Sequence, residues 1–234
     1  MSLADPAFYP EVVNDVVRDM IETEYIQNLT LFHTDDRVLS PERYGGHKWD
    51  SSSLPPADRR ATGFNYLEDH GTSHLSVVDP ELNAVAITTT VNTEFGSGFL
   101  SPSTGILLNN QMDDFASQGR PNYFGLPPSP LNYPEPKKRP LSSMSPTLIF
   151  HEDKLRMVVG ASGGPKIITS TLQTVLNHML AGLDLFEANT APRIHDQILY
   201  HNEPTCVYSA ETMLNGAEIT LDEITMDSMA KRGE

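Results

Sequence analysis

Two alternating runs, Leu75-Ser76-Val77-Val78-Asp79 and Asn83-Ala84-Val85-Ala86-Ile87-Thr88-Thr89-Thr90, stand on either side of Pro80-Glu81-Leu82. Period-two runs rich in β-branched residues and separated by a short turn predict an antiparallel hairpin. No other stretch constrains the chain as much, because pairing decides which residues face each other. If Asp79 pairs with Asn83, Thr72 falls directly across from Thr90, with Asn92 just beyond it. Directly opposed side chains are within contact reach.

The first strand is entered through Asp69-His70-Gly71-Thr72-Ser73-His74, a small polar junction. A threonine hydroxyl is a weak nucleophile until a base takes its proton, and the α-amine of the same threonine can be that base once the residue begins a chain. Two readings are open. The junction is either an ordinary turn into a strand or a nucleophile released by cutting the Gly71–Thr72 bond.

Before the junction, apolar residues Val12, Val13, Val16, Val17, Met20, Ile21 and Ile26 lie mostly on one helical face, with a break expected near Thr23. The stretch 34–69 is polar, with Gly45-Gly46, Ser51 to Ser53 and Pro55-Pro56, and reads as a surface linker where cleavage is tolerated. Beyond the hairpin, Phe95 to Thr104 is Gly- and Ser-rich and reads as a mobile loop. Gly105-Ile106-Leu107-Leu108 reads as a buried strand, followed by Asn109 to Phe115 as either a recognition surface or a capped turn. Arg120 to Pro140 is studded with prolines and reads as an extended surface loop, a candidate lid.

A second hairpin is expected from Thr147–His151 and Lys154–Gly160 across Glu152-Asp153. After the turn Gly160-Ala161-Ser162-Gly163-Gly164-Pro165 comes a helix whose stripe Ile168, Leu172, Val175, Leu176 and Met179 is expected to be buried, with Gly182 at its stop. Paired glycines before a helix let backbone N–H groups approach a developing negative charge, the requirement of an oxyanion hole; a tight strand-to-helix turn needs the same glycines. A short helix near Phe186–Ala191 and an acidic helical tail over Leu221–Arg232 complete the pattern.

Composition narrows the chemistry. A net charge of −15 over 234 residues argues against nucleic acid or an anionic membrane as partner. One cysteine, Cys206, excludes an internal disulfide framework, and the eight histidines show no metal-ligand spacing. No apolar run reaches the length of a membrane span, and the first ten residues show no signal-peptide pattern.

Taken together, these residues resemble the γ-glutamyltranspeptidases (glutathione hydrolases), members of the N-terminal-nucleophile hydrolases. The resemblance rests on blocks in family order: Thr72 with Ser73-His74-Leu75-Ser76-Val77, then Asn92 with Phe95-Gly96, and Ser101-Pro102. Gly105 to Leu107 with Asn109 to Phe115 follows, then Arg139 to Thr147, and last Gly160 to Gly164. It implies an α+β fold, layered αββα with antiparallel sheets, here truncated at both ends. Residues 1–71 correspond to the end of a large-subunit region with its linker, and residues 72–234 to a small catalytic subunit region, incomplete at its C-terminus.

The resemblance also implies roles. Thr72 is the nucleophile, freed by cleavage at Gly71–Thr72; Thr90 holds its hydroxyl; Gly163 and Gly164 form the oxyanion hole. Asn92, Gln111 and Asp114 hold the α-amine of a γ-glutamyl substrate, and Ser142 and Ser143 its α-carboxylate. An ammonium needs carboxylate and amide oxygens, and a carboxylate needs hydroxyl and N–H donors, so the residue types suit an α-amino-acid head rather than a β-lactam side chain. The implied substrates are glutathione and other γ-glutamyl compounds, the acceptors water, amino acids or dipeptides; no cofactor or metal is implied. The family arginine for the α-carboxylate belongs to the large-subunit region, the expected structural partner, and has no counterpart here. The family points to the cell surface, the extracellular space or the vacuole, although the chain shows no signal or anchor of its own. Two expectations follow: a catalytic hydrolase/transferase, or a non-catalytic remnant that binds a partner.

Overall fold

The computed structural model describes residues 3–31, 36–37, 71–120, 122, 128–196, 206–209, 211–212 and 218–232. The expected linker at 34–69 therefore lies outside the described residues apart from Asp36 and Arg37, as does most of 121–127 in the candidate lid. Helices α1 (Pro10–Ile21) and α2 (Thr23–Thr30) break where anticipated, at Glu22 in an extended conformation. Only Val13, Val16 and Asp19 of α1 are buried, so its apolar stripe is narrower than the sequence pattern suggested.

Strands β1 (Thr72–Val78) and β2 (Ala84–Thr90) pair antiparallel in the expected register, with Thr72 opposite Thr90 and Leu75 opposite Ile87. The turn closes by Asp79 N–H donating to Asn83 O at 3.0 Å, with Leu82 at φ +65°. β3 (Thr147–His151) and β4 (Lys154–Val159) form the second hairpin. Glu152 and Asp153 both take positive φ, +49° and +58°, the two-residue turn whose twist matches its strands. β5 (Arg193–Asp196) pairs with β6 (Cys206–Ser209), and β7 (Glu211–Thr212) with β8 (Glu218–Ile219). Among the described residues these make four two-stranded antiparallel sheets. Helices α3 (Ile167–Met179), α4 (Leu185–Thr190) and α5 (Glu223–Arg232) complete the architecture. Asp184 caps α4 in a reciprocal pair with Glu187, satisfying backbone donors at its start.

Two expectations about burial are corrected. The stripe on α3 is turned outward: Ile168 and Leu172 are each 53% exposed, while Ile167, Thr171 and Thr174 face inward. Hydrogen bonding decides the facing. Gln173 donates through Nε2 to Ile194 O at 2.7 Å and accepts from Ile194 N at 2.9 Å, and Thr169 Oγ1 meets His195 Nδ1 at 2.8 Å, fastening the polar side of α3 to β5. The second correction concerns the apolar run at 105–108, where Ile106 and Leu108 are exposed rather than buried. The preceding loop is hydrogen-bonded, not loose: Ser97 N–H reaches Leu108 O, Leu108 N–H reaches Phe99 O, and Ser101 N–H reaches Ile106 O, at 2.9–3.0 Å. On the first hairpin, Leu75, Val77, Val85 and Ile87 share one exposed face, opposite the face that carries Thr72.

The N-terminal segment is latched to the stretch before Ser142. Asp5, nearly buried, accepts from Arg139 N at 2.9 Å, Arg139 Nη2 at 3.1 Å and Ala7 N at 3.0 Å. Lys138 Nζ donates to Tyr133 O and Glu135 Oε1 and lies over the Tyr9 ring at 4.7 Å. The expectation of a surface loop fits the exposed residues Pro134 to Lys137, but Ser129, Asn132 and Lys138 turn inward and are buried.

The Arg139 side chain, then the backbone donors, hold the Asp5 carboxyl down to about 2. A group depressed in the fold contributes stability above its unfolded value, and that contribution fades as pH falls through the folded value. Asp5→Asn is therefore expected to lower the melting temperature at pH 7. The gap to wild type should narrow as pH falls from about 4 toward 2. Parallel thermal melts across that range check this; a constant gap would refute it.

Candidate active site

At the seam into β1 the backbone is crowded. A Cβ on Gly71 would sit 2.2 Å from Asn92 O and 2.5 Å from Thr93 O, both backbone atoms. Close approach of the backbone requires glycine here. The Gly71 carbonyl accepts from Val91 N–H at 2.9 Å and from Thr90 Oγ1 at 3.2 Å.

Thr90 Oγ1 is the hub. It accepts from Thr72 Oγ1 at 2.9 Å and from Asn92 N–H at 2.9 Å while donating to Gly71 O. One donor and two acceptors are the full capacity of a hydroxyl, so its rotor is fixed. Asn92 reaches it at φ +78°, a conformation asparagine tolerates better than most residues. Asn92 is buried, and its Nδ2 donates to Asn110 O at 3.2 Å, tying the hairpin end to the segment that follows.

That segment is a short 3₁₀ turn, Gln111–Asp114, in which Gln111 Nε2 donates to Asp114 Oδ2. Asn92, Gln111 and Asp114 are thereby joined into one bonded stretch. Ser142 and Ser143 lie on the extended run before β3, Ser142 exposed and Ser143 half-buried. Gly163 and Gly164 both have positive φ, +124° and +55°, just ahead of α3. The glycine turn runs close against β1 at its start, because a Cβ on Gly160 would fall 2.2 Å from His74 Cε1.

His74 is on the same face of β1 as Thr72, yet it is not placed as that residue's base. Its Nδ1 is 2.8 Å from Thr88 Oγ1 and its Nε2 3.0 Å from Ser76 Oγ, so both ring nitrogens are engaged with hydroxyls. A pocket of about 260 Å³ behind the glycine turn is lined by Ser162, Gly163, Lys166, Thr174 and Arg193 among others, without any of the residues expected to hold substrate. No group of three or more metal-ligating side chains occurs among the described residues.

Sequence reasoning missed Asp5 and Asn132. Both are polar residues in irregular segments, where no periodicity marks a buried position; burial and partners alone reveal them.

The chain matches the family model described as Gamma-glutamyltranspeptidase over residues 1–233. It belongs to that family. Over 218 residues it is 44% identical to Glutathione hydrolase 2 of Arabidopsis thaliana, covering 89% of this chain and 34% of that protein. It is 41% identical over 201 residues to Putative inactive glutathione hydrolase 4 of the same plant, covering 85% of this chain and 96% of that one. Among solved structures, the γ-glutamyltranspeptidase of Pseudomonas nitroreducens (mutant W525D) superposes with a TM-score of 0.59 at 37% identity, covering 67% of this chain and 77% of the other. The fold is accordingly the α+β N-terminal-nucleophile hydrolase fold with antiparallel sheets. The chain spans about a third of the length of Glutathione hydrolase 2.

Proposed function

We propose that this chain carries the nucleophile and most of the substrate grip of a glutathione hydrolase/γ-glutamyltransferase, and that Thr72 is released by self-cleavage at Gly71–Thr72. The observation that carries the reading is the shared hydroxyl: Thr90 Oγ1 accepts from Thr72 Oγ1 at 2.9 Å and donates to the Gly71 carbonyl at 3.2 Å. As Thr72 Oγ1 attacks the Gly71 carbon, its proton passes to Thr90, and the Thr90 proton to the carbonyl oxygen. Val91 N–H supports the developing charge. Collapse breaks the C–N bond, and the amine takes back a proton to leave an ester. Water hydrolyses the ester, so that Gly71 ends in a carboxylate and Thr72 in a free amine.

That amine is then the base when Thr72 Oγ1 attacks the γ-glutamyl amide of glutathione. N–H groups of the Gly163-Gly164 turn stabilise the tetrahedral oxyanion. Asn92, Gln111 and Asp114 receive the α-ammonium, and Ser142 and Ser143 the α-carboxylate. Cysteinylglycine leaves, and the acyl-enzyme passes its glutamyl group to water or to an amino-acid or dipeptide amine. A large-subunit region supplies the remaining carboxylate contact, in a cell-surface, extracellular or vacuolar setting.

Intact-mass spectrometry of the purified chain tests this reading. A species beginning at Thr72 is expected to accumulate and to hydrolyse a γ-glutamyl anilide, and Thr72→Ala to abolish both. A second reading, partner binding without turnover, is favoured by the 96% coverage of Putative inactive glutathione hydrolase 4. It predicts an uncut chain and no difference between wild type and Thr72→Ala.

A further inference from the structure

We propose that Asn132 is a positioning residue that sets the distance between the amine-holding and carboxylate-holding arms of the substrate site, and so enforces selection of an α-amino-acid head. The proposal rests on the assignment of those arms given above. Asn132 ends a short 3₁₀ turn, Pro130–Asn132, and is only 7% exposed. Its Nδ2 donates to Asp114 O at 2.8 Å, and its Oδ1 accepts from Leu141 N–H at 3.3 Å. Asp114 ends the amine arm, and Leu141 immediately precedes Ser142 and Ser143. One carboxamide therefore spans both arms.

The orientation of that carboxamide is not arbitrary. A backbone carbonyl can only accept and a backbone N–H can only donate, so flipping the amide would break both bonds at once. The main chain of Asn132 adds two more: its O accepts from Ala116 N–H at 3.0 Å and its N–H donates to Ser129 O at 2.9 Å. On the far side, Asp5 holds Arg139 N–H at 2.9 Å, so the carboxylate arm is gripped two residues apart by two buried side chains. Reading an α-amino acid requires its ammonium and carboxylate holders at one fixed separation. Small misplacement of such groups carries large kinetic penalties.

Asn132→Asp separates the two links. One carboxylate oxygen still accepts from Leu141 N–H, while the other is forced against Asp114 O. The closing experiment compares hydrolysis of γ-L-glutamyl anilide with that of glutaryl anilide, which lacks the amine. Wild type is expected to prefer the former strongly. In Asn132→Asp, KM for γ-L-glutamyl anilide should rise about tenfold with kcat nearly kept, and the preference should shrink by a similar factor. Asn132→Ser, too short to reach either partner, removes both links and is read by the same ratio of the two substrates where the aspartate variant does not fold. An equal loss on both substrates would mean a merely structural residue and overturn the proposal. Amide exchange in the full-length chain reads the link without turnover: Leu141 N–H should lose protection in Asn132→Ala, and unchanged protection also overturns it. Wild type showing no preference for γ-L-glutamyl anilide would instead sink the assignment of the arms.

Discussion

Gly71→Ala is expected to give a folded chain that stays uncut, with the Thr72-initiated species appearing at least about a hundredfold more slowly than in wild type. The added methyl has nowhere to go. It would stand 2.2 Å from Asn92 O and 2.4 Å from Asn92 C, and neither backbone atom can swing aside as a flexible side chain could. The residues next to the clash are those that the proposed cleavage relies on, since Asn92 N–H holds Thr90 Oγ1 and Val91 N–H holds the Gly71 carbonyl. Relief of the clash must move one of these groups or the scissile carbonyl itself. The fold is expected to survive, because the hairpin register from Ser73 to Val78 does not involve residue 71. Time-resolved mass spectrometry of freshly made protein gives the rate, and far-UV circular dichroism checks the fold. Cleavage at an undiminished rate would show that the crowding at Gly71 has no part in the reaction.

Pairing was legible wherever alternation and a turn came together. The Thr72–Thr90 register follows from counting back from Pro80-Glu81-Leu82, and it places two hydroxyls in contact before any coordinate is known. Facing was less legible. Periodicity finds the stripe Ile168-Leu172-Leu176 on α3, but it says nothing about a competing polar side on which Thr169 and Gln173 bond to β5. Chemistry rather than apolarity turned that helix. The Gly-Ser stretch after Phe95 misleads for a related reason: glycines at positive φ and the Ser97 hydroxyl on Leu108 O build a closed turn from residues that elsewhere mark mobility. Asp5 and Asn132 carry no pattern at all. Asp5 meets residue 139 across more than half the chain, and Asn132 joins residues 114 and 141 on either side of itself; such pairs of single polar groups leave no local trace.

Thr90→Val is expected to slow release of Thr72 by about 10²–10³-fold, whereas Thr90→Ser should stay within about tenfold of wild type. Valine keeps the branched shape that suits the strand but deletes the hydroxyl through which Thr72, Gly71 and Asn92 are joined. Three consequences follow together. The Thr72 proton loses its acceptor, the Gly71 carbonyl loses one of its two donors, and Asn92 N–H is left buried without the oxygen it pointed at. Serine restores the oxygen and the proton but frees the rotor, because the methyl that fixes threonine's side-chain torsion is absent. The comparison therefore separates chemistry from packing. If valine and serine slow cleavage equally, the methyl rather than the hydroxyl matters, and the proton path through Thr90 is wrong. A sharper arm uses chain already cut before assay: Thr90→Val should then depress kcat for γ-glutamyl anilide more than it raises KM, since the hydroxyl holds the attacking oxygen rather than the substrate's amino-acid head.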